Sequence, residues 1–207
     1  MVLQQSSLNH RVLGFLITGL VLIFIWRSQP LTSNEAPVTA RQPDVAVDMS
    51  ESIIPKLKIA VRQASSSPPK LTISVTNTHS SPMTVLSWDS PLDPMALQLG
   101  LFEFKPAGSD EVIKTPKVMV RRKMPPGPDS LVTIQAGQTE EREVELREPI
   151  VPLEKLRGKA SVVCKGDWRS VWPVKGEDVS AESLESMGFS DDAFQGSFES
   201  QAADMEI

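Results

Sequence analysis

The sequence predicts a mainly β protein: an antiparallel β-sandwich preceded by one N-terminal hydrophobic helix. Three observations carry this. Beyond residue 56, apolar residues recur at every second position over most of the chain, which is the period of a half-buried strand. Clusters rich in Pro, Gly and Ser punctuate these runs, as in "SSSPP", "NTHSSP", "PAGSD", "MPPGPDS", "QAGQ" and "KGD". Helical periodicity is confined to two short stretches. Short alternating strands divided by turn clusters are the mark of an antiparallel sandwich.

The apolar N-terminal segment comes first. Arg11 and Arg27 bracket 15 uncharged, mostly apolar residues, Val12 to Trp26. As a helix this spans roughly 22 Å, short of a ~30 Å hydrocarbon core. Its flank "RSQPLTSNEAP" lacks a good small-residue cleavage site. Trp26 beside Arg27 suits an interfacial anchor. Residues 1–27 are therefore expected to be an uncleaved signal-anchor, attached to the membrane through residues 12–26, with the domain on the non-cytoplasmic side. The alternative is a cleaved signal peptide and a secreted protein. Residues 28–55 follow as a flexible linker, with prolines at 30, 37, 43 and 55 and no sustained periodicity.

The sandwich domain is expected over residues 56–207. Leu57, Ile59 and Val61 alternate with polar or small residues, as do Leu71, Ile73 and Val75. Further strands are expected at Met83–Trp88, Leu99–Phe104, Val118–Lys123, Leu131–Gln135, Glu141–Leu146 and Lys159–Lys165. In "EREVELR", Val144 and Leu146 point one way and Glu143, Glu145 and Arg147 the other. One helical turn is expected in "VPLEKLRG", ended by Gly158. A short helix is expected in "VSAESLESMGF", with Ser180 as N-cap and Gly188 just past its end. Gly176 to Ile207 holds nine acidic residues and no Lys or Arg, the composition of an acidic tail. Phe194, Gly196 and Phe198 alternate there, so a last strand is also open.

Composition narrows the chemistry. The net charge of −5 speaks against a chain-wide nucleic-acid binder. Cys164 is the only cysteine, so no intramolecular disulfide and no Cys-based zinc site is available. His10 precedes the apolar segment and His79 lies in a polar turn, which leaves no marked catalytic triad. There is no H-E-x-x-H, phosphate loop or dinucleotide fingerprint. No catalytic residue, metal ligand or cofactor is expected, and the protein is expected not to be an enzyme.

Three surface features remain. In "LSWDSPLDPM", Asp89 and Asp93 are too few for a calcium site, which needs about six oxygens. They are expected to shape a turn, Asp89 by a backbone-capping hydrogen bond and Asp93-Pro94 by initiating it, with Trp88 closing the sandwich. The run Lys114 to Lys123 is basic and free of acids. On a strand, Lys117, Arg121 and Lys123 share one face and Arg122 lies on the other. Lys117, Arg121, Arg122 and Lys123 thus form a possible interaction surface for an acidic partner or anionic lipid. They could equally be a solvated face paired with neighbouring acids. Trp88, Trp168 and Trp172 could stack on sugars, but in a sandwich without tyrosine they more often plug the core.

The series "VTNTHSSPMTVLSWDSPLDPMALQLGLFEF", "VMVRRKMPPGPDSLVTIQAGQTEEREVELREPIVP", "ASVVCKGDW" and "GSFES" resembles a family of small, functionally uncharacterised fungal β-domain proteins. More distantly, the "VTN" opening, the "TIQAGQT" turn and the F-x-S closing strand are similar to the propeptide domain of deuterolysin-type metalloendopeptidases. That likeness implies an immunoglobulin-like fold and a domain that assists or inhibits a protease. The chain ends where a protease domain would begin and lacks the zinc-binding histidines, so the resemblance implies a free-standing, non-catalytic sandwich. It also implies that the acidic C-terminus belongs to the domain. The expected role is interaction with an unknown protein partner; the alternative is a protease-directed inhibitor or folding helper.

Overall fold

The computed structural model describes residues 52–186 and 190–207. The expected anchor at 12–26 and nearly all of the expected linker lie outside these residues, as do Met187 and Gly188. Among the described residues no helix is long and apolar enough to cross a membrane.

The strands are β1 (Leu57–Ser66), β2 (Pro69–Asn77), β3 (Met83–Leu86), β4 (Phe102–Pro106), β5 (Ile113–Lys114), β6 (Leu131–Ile134), β7 (Thr139–Glu145), β8 (Lys159–Trp172), β9 (Phe194–Glu199) and β10 (Ala203–Glu206). One short helix, α1 (Ala181–Ser186), follows β8. Ser180 caps it, its Oγ accepting the Ser183 N–H at 3.0 Å. The turn in "VPLEKLRG" is a 3₁₀ helix, Leu153–Leu156, and Gly158 follows at φ +85.

One sheet has the order β1-β2-β7, the other β5-β4-β8-β3-β6. Every recorded pair is antiparallel. The long strand β8 organises the larger sheet. One edge pairs with β4 and then β3; the other pairs with β10 and then β9. The C-terminal acids thus ride on ordered strands rather than in a free tail. Leu71, Ile73 and Val75 of the smaller sheet and Val85, Phe102, Phe104, Val162 and Cys164 of the larger one are buried in a single core. The alternation in β7 follows the expected sides, with Val144 and Leu146 buried and their charged neighbours exposed.

A bulge in β8 separates its two tryptophans. Trp168 opposes Gly196 while Val171 opposes Phe194, so β8 carries one extra residue. Trp168 lies in the main core, whereas Trp172 joins Leu86 and Trp88 in a second cluster under α1. The Trp172 indole donates to Ser183 Oγ at 2.7 Å, tying α1 to the sheet.

The structure departs from the expectations in four places. Ile53 and Ile54 belong to the core, not to the linker; two β-branched residues before Pro55 are apolar enough to dock. The strand expected at Val118–Lys123 is absent, and residues 115–123 are irregular. Pro116 and Pro125 remove backbone donors on either side of this segment. The strand expected from Leu99 starts at Phe102, because Leu99 and Gly100 close a turn in which Gly100 has φ +73. Finally, β8 runs through "KGD" instead of ending there.

Candidate interaction cleft

The chain leaves β3 at Leu86 and turns repeatedly before β4. Asp93 holds the first of these turns. It is fully buried, and its carboxylate accepts the Asp89 N–H at 2.8 Å and the Met95 N–H at 2.9 Å. Arg122 donates to the same carboxylate at 2.5 Å. Asp89 has φ 58, a left-handed conformation that Asp tolerates better than most side chains. Its own carboxylate is ion-paired with Arg169 of β8. The capping role expected of Asp89 therefore falls to Asp93, and Asp89 is the residue capped. Both carboxylates are thus engaged in ion pairs with arginines from distant parts of the chain.

Arg122 also stacks over Trp88, its guanidinium carbon 5.7 Å from the ring centroid, a cation–π distance. One irregular segment, 117–124, is thereby pinned at two points: Val118 donates its N–H to the Gln98 carbonyl at 2.9 Å, and Arg122 reaches Asp93. Between the pinned segment, the turn at Trp88–Asp89 and β8 at Gly166–Arg169 lies a cleft of about 640 Å³. Trp88, Leu99, Leu101 and Val120 contribute apolar lining, and Lys117, Arg122 and Arg169 contribute positive charge.

The structure therefore brings together the residues singled out in the sequence, but in a different arrangement. Arg122 is held inside by Asp93, while Lys117, Arg121 and Lys123 are exposed. Among the described residues none of these three has an ion-pair partner. The acid-rich strand β7 pairs with β2 and not with this segment. Trp88 is 7 % exposed and Trp168 and Trp172 are 1 % exposed, so none offers an open face for sugar stacking.

The alternation pattern gave no sign of the apolar part of this surface. Val118 is 48 %, Met119 97 % and Met124 50 % exposed. Only Val112 and Val174 are comparably exposed large hydrophobics elsewhere in the described residues. Such clustering, rather than single exposed residues, marks an interaction surface. The signal available in sequence was the pair of proline boundaries, which put the valines and methionines of "KVMVRRKM" in a loop.

A second cavity, of about 770 Å³, lies between the β4–β5 turn, the start of β8 and β10. Its polar groups are largely engaged with one another. Lys105 pairs with Asp110 at 3.3 Å. The Gln63 carboxamide donates to the Glu206 carbonyl at 2.7 Å and accepts the Glu206 N–H at 2.9 Å. It has no exposed large hydrophobic in its lining. His79 serves the β2–β3 turn, its Nδ1 accepting the Ser81 N–H at 3.1 Å. No cluster of three or more His, Cys, Asp or Glu suited to a metal occurs among the described residues.

Two antiparallel sheets around one core, the larger organised on the long strand β8, define a sandwich of the immunoglobulin-like class. A family model of an immunoglobulin-like domain matches residues 56–207, and the chain belongs to that family. An uncharacterized secreted protein of Arthroderma benhamiae is 34% identical over 120 residues, which is 58% of this chain. The match covers 59% of that protein, so the chain spans about three-fifths of the length of this relative.

Proposed function

We propose that this protein is a secreted, non-catalytic immunoglobulin-like domain that binds a protein partner through the cleft at residues 117–124. The carrying observation is the pinned loop, which carries three exposed cations without an ion-pair partner among the described residues and three exposed hydrophobics. Interfaces combine an apolar centre with a polar rim, and this loop supplies both. Secretion is supported by the likeness to the secreted fungal relative. The signal-anchor reading concerns residues outside the described structure, and N-terminal sequencing separates the two. A mature start beyond Arg27 in the medium supports secretion; an intact N-terminus in the membrane fraction contradicts it.

The binding role has its own test. The full chain, immobilised, is exposed to growth medium beside a Lys117→Glu/Arg121→Glu/Lys123→Glu variant and a control reversed at Lys58 and Lys155. The prediction is a partner retained by the wild type and the control and lost by the cleft variant. Equal retention by all three would assign binding to another surface. Stoichiometric slowing of a metalloprotease, unaffected by the cleft variant, would instead support the inhibitor reading.

A further inference from the structure

The chemistry of the cleft restricts its occupant. Arg122 and Arg169 are neutralised by Asp93 and Asp89, so their charge is spent within the protein. Among the described residues Lys117, Arg121 and Lys123 have no ion-pair partner, although the chain carries a formal net charge of −5. Lys117 lines the cleft itself, while Arg121 and Lys123 line an adjoining hollow that shares Arg122 and Met124 with it, and this local positive charge attracts an incoming anionic group. Behind the rim the lining changes character. Trp88, Leu99, Leu101 and Val120 line the interior, and Met119 stands at the edge with 97 % of its surface free.

We infer that the cleft takes an acidic peptide segment bearing an apolar side chain. Its carboxylates pair with Lys117, Arg121 and Lys123, and the apolar side chain enters the cleft against the exposed Val118, Met119 and Met124. This rests on the reading that the cleft is the binding face. A peptide fits better than an anionic membrane for two reasons. The apolar surface is partly concave, with a volume of about 640 Å³ that suits a few side chains. Asp167, which is exposed, also lines it; a continuous anionic plane could not avoid that carboxylate, whereas a peptide can set a neutral residue against it.

The test is selection of random twelve-residue peptides on the full chain, followed by titration of the enriched sequences. Enrichment of Asp and Glu around a Leu, Ile, Phe or Met is expected. Affinity should fall about ten-fold or more, a difference of about 1.4 kcal/mol, in Arg121→Glu/Lys123→Glu and separately in Met119→Asp. Raising salt from about 50 mM to about 500 mM should weaken binding, as screening requires. Enrichment of neutral or basic peptides would overturn the inference, as would acidic peptides bound equally by both variants. Binding to phosphatidylserine vesicles without peptide binding would also overturn it, in favour of a membrane. If peptides fail but capture from medium still depends on Lys117, Arg121 and Lys123, the peptide class is wrong while the binding face stands. If capture is indifferent to those residues, the binding face itself is wrong.

Discussion

Asp93 shows how much one carboxylate can organise. It satisfies two backbone N–H groups and neutralises Arg122, whose guanidinium lies over Trp88. Removing one partner of a buried pair leaves an uncompensated charge, which typically costs about 3–5 kcal/mol. Asp93→Ala is therefore expected to lower unfolding stability by roughly that amount in urea titration. Asp93→Asn keeps an acceptor oxygen and should cost less. Asp89 pairs with a half-exposed Arg169, and such pairs are worth at most about 1 kcal/mol. Asp89→Asn, which still tolerates the left-handed backbone, should stay within that. Equal losses at the two aspartates would contradict these roles. The sequence showed that "LSWDSPLDPM" builds a turn, because two Asp and two Pro in ten residues have few other uses. Which aspartate does the capping depends on Arg122, 29 residues away, and local spacing cannot encode that.

At the scale of elements, cross-strand charge pairs tie β4 to both neighbours. Glu103 reaches Lys165 of β8 at 2.7 Å and Lys114 of β5 at 3.2 Å. The hydrogen bond from Lys165 holds the Glu103 carboxyl below its ordinary range, against the opposing effect of burial. A carboxyl depressed in the folded state stabilises above its unfolded value and loses that contribution as pH falls through its folded value. Glu103→Gln should thus melt lower than the wild type at neutral pH, with the gap closing at pH values below the usual carboxylate range. A gap constant with pH would contradict the pairing. Period-2 alternation revealed β1 and β7 because each buries one face, whereas β3 is buried at every position. Alternation misled at Val118–Lys123, where an apolar triplet runs into three cations between prolines and no sheet edge receives them. β5 and β10 are too short to show a period. "KGD" looked like a turn, but Gly166 is a strand glycine: a Cβ there would lie 2.9 Å from the Phe198 ring. Only the packed partner strand reveals that requirement.

Across the whole molecule, the described residues form one immunoglobulin-like sandwich whose charged and apolar outliers collect at the 117–124 loop. The opposite cavity is closed in on itself by the Gln63 carboxamide, which pairs with Glu206 much as a strand neighbour would. The fold class was legible in sequence because it depends on patterning. The cleft was only half legible: its cations stood out, but its exposed methionine and its buried Arg122 depend on where the loop is pinned. A single labelling experiment addresses this claim. Cys164 is buried and its thiol is pushed up to about 12 by desolvation, so it is inert to thiol reagents at neutral pH. A Met119→Cys variant therefore takes a photo-crosslinker at one place, and Ala107→Cys places the same group at the second cavity. Illuminated in growth medium, the label at 119 is predicted to capture a partner through an acidic, apolar-bearing segment while the label at 107 captures none. Capture from 107 and not from 119 would contradict the account.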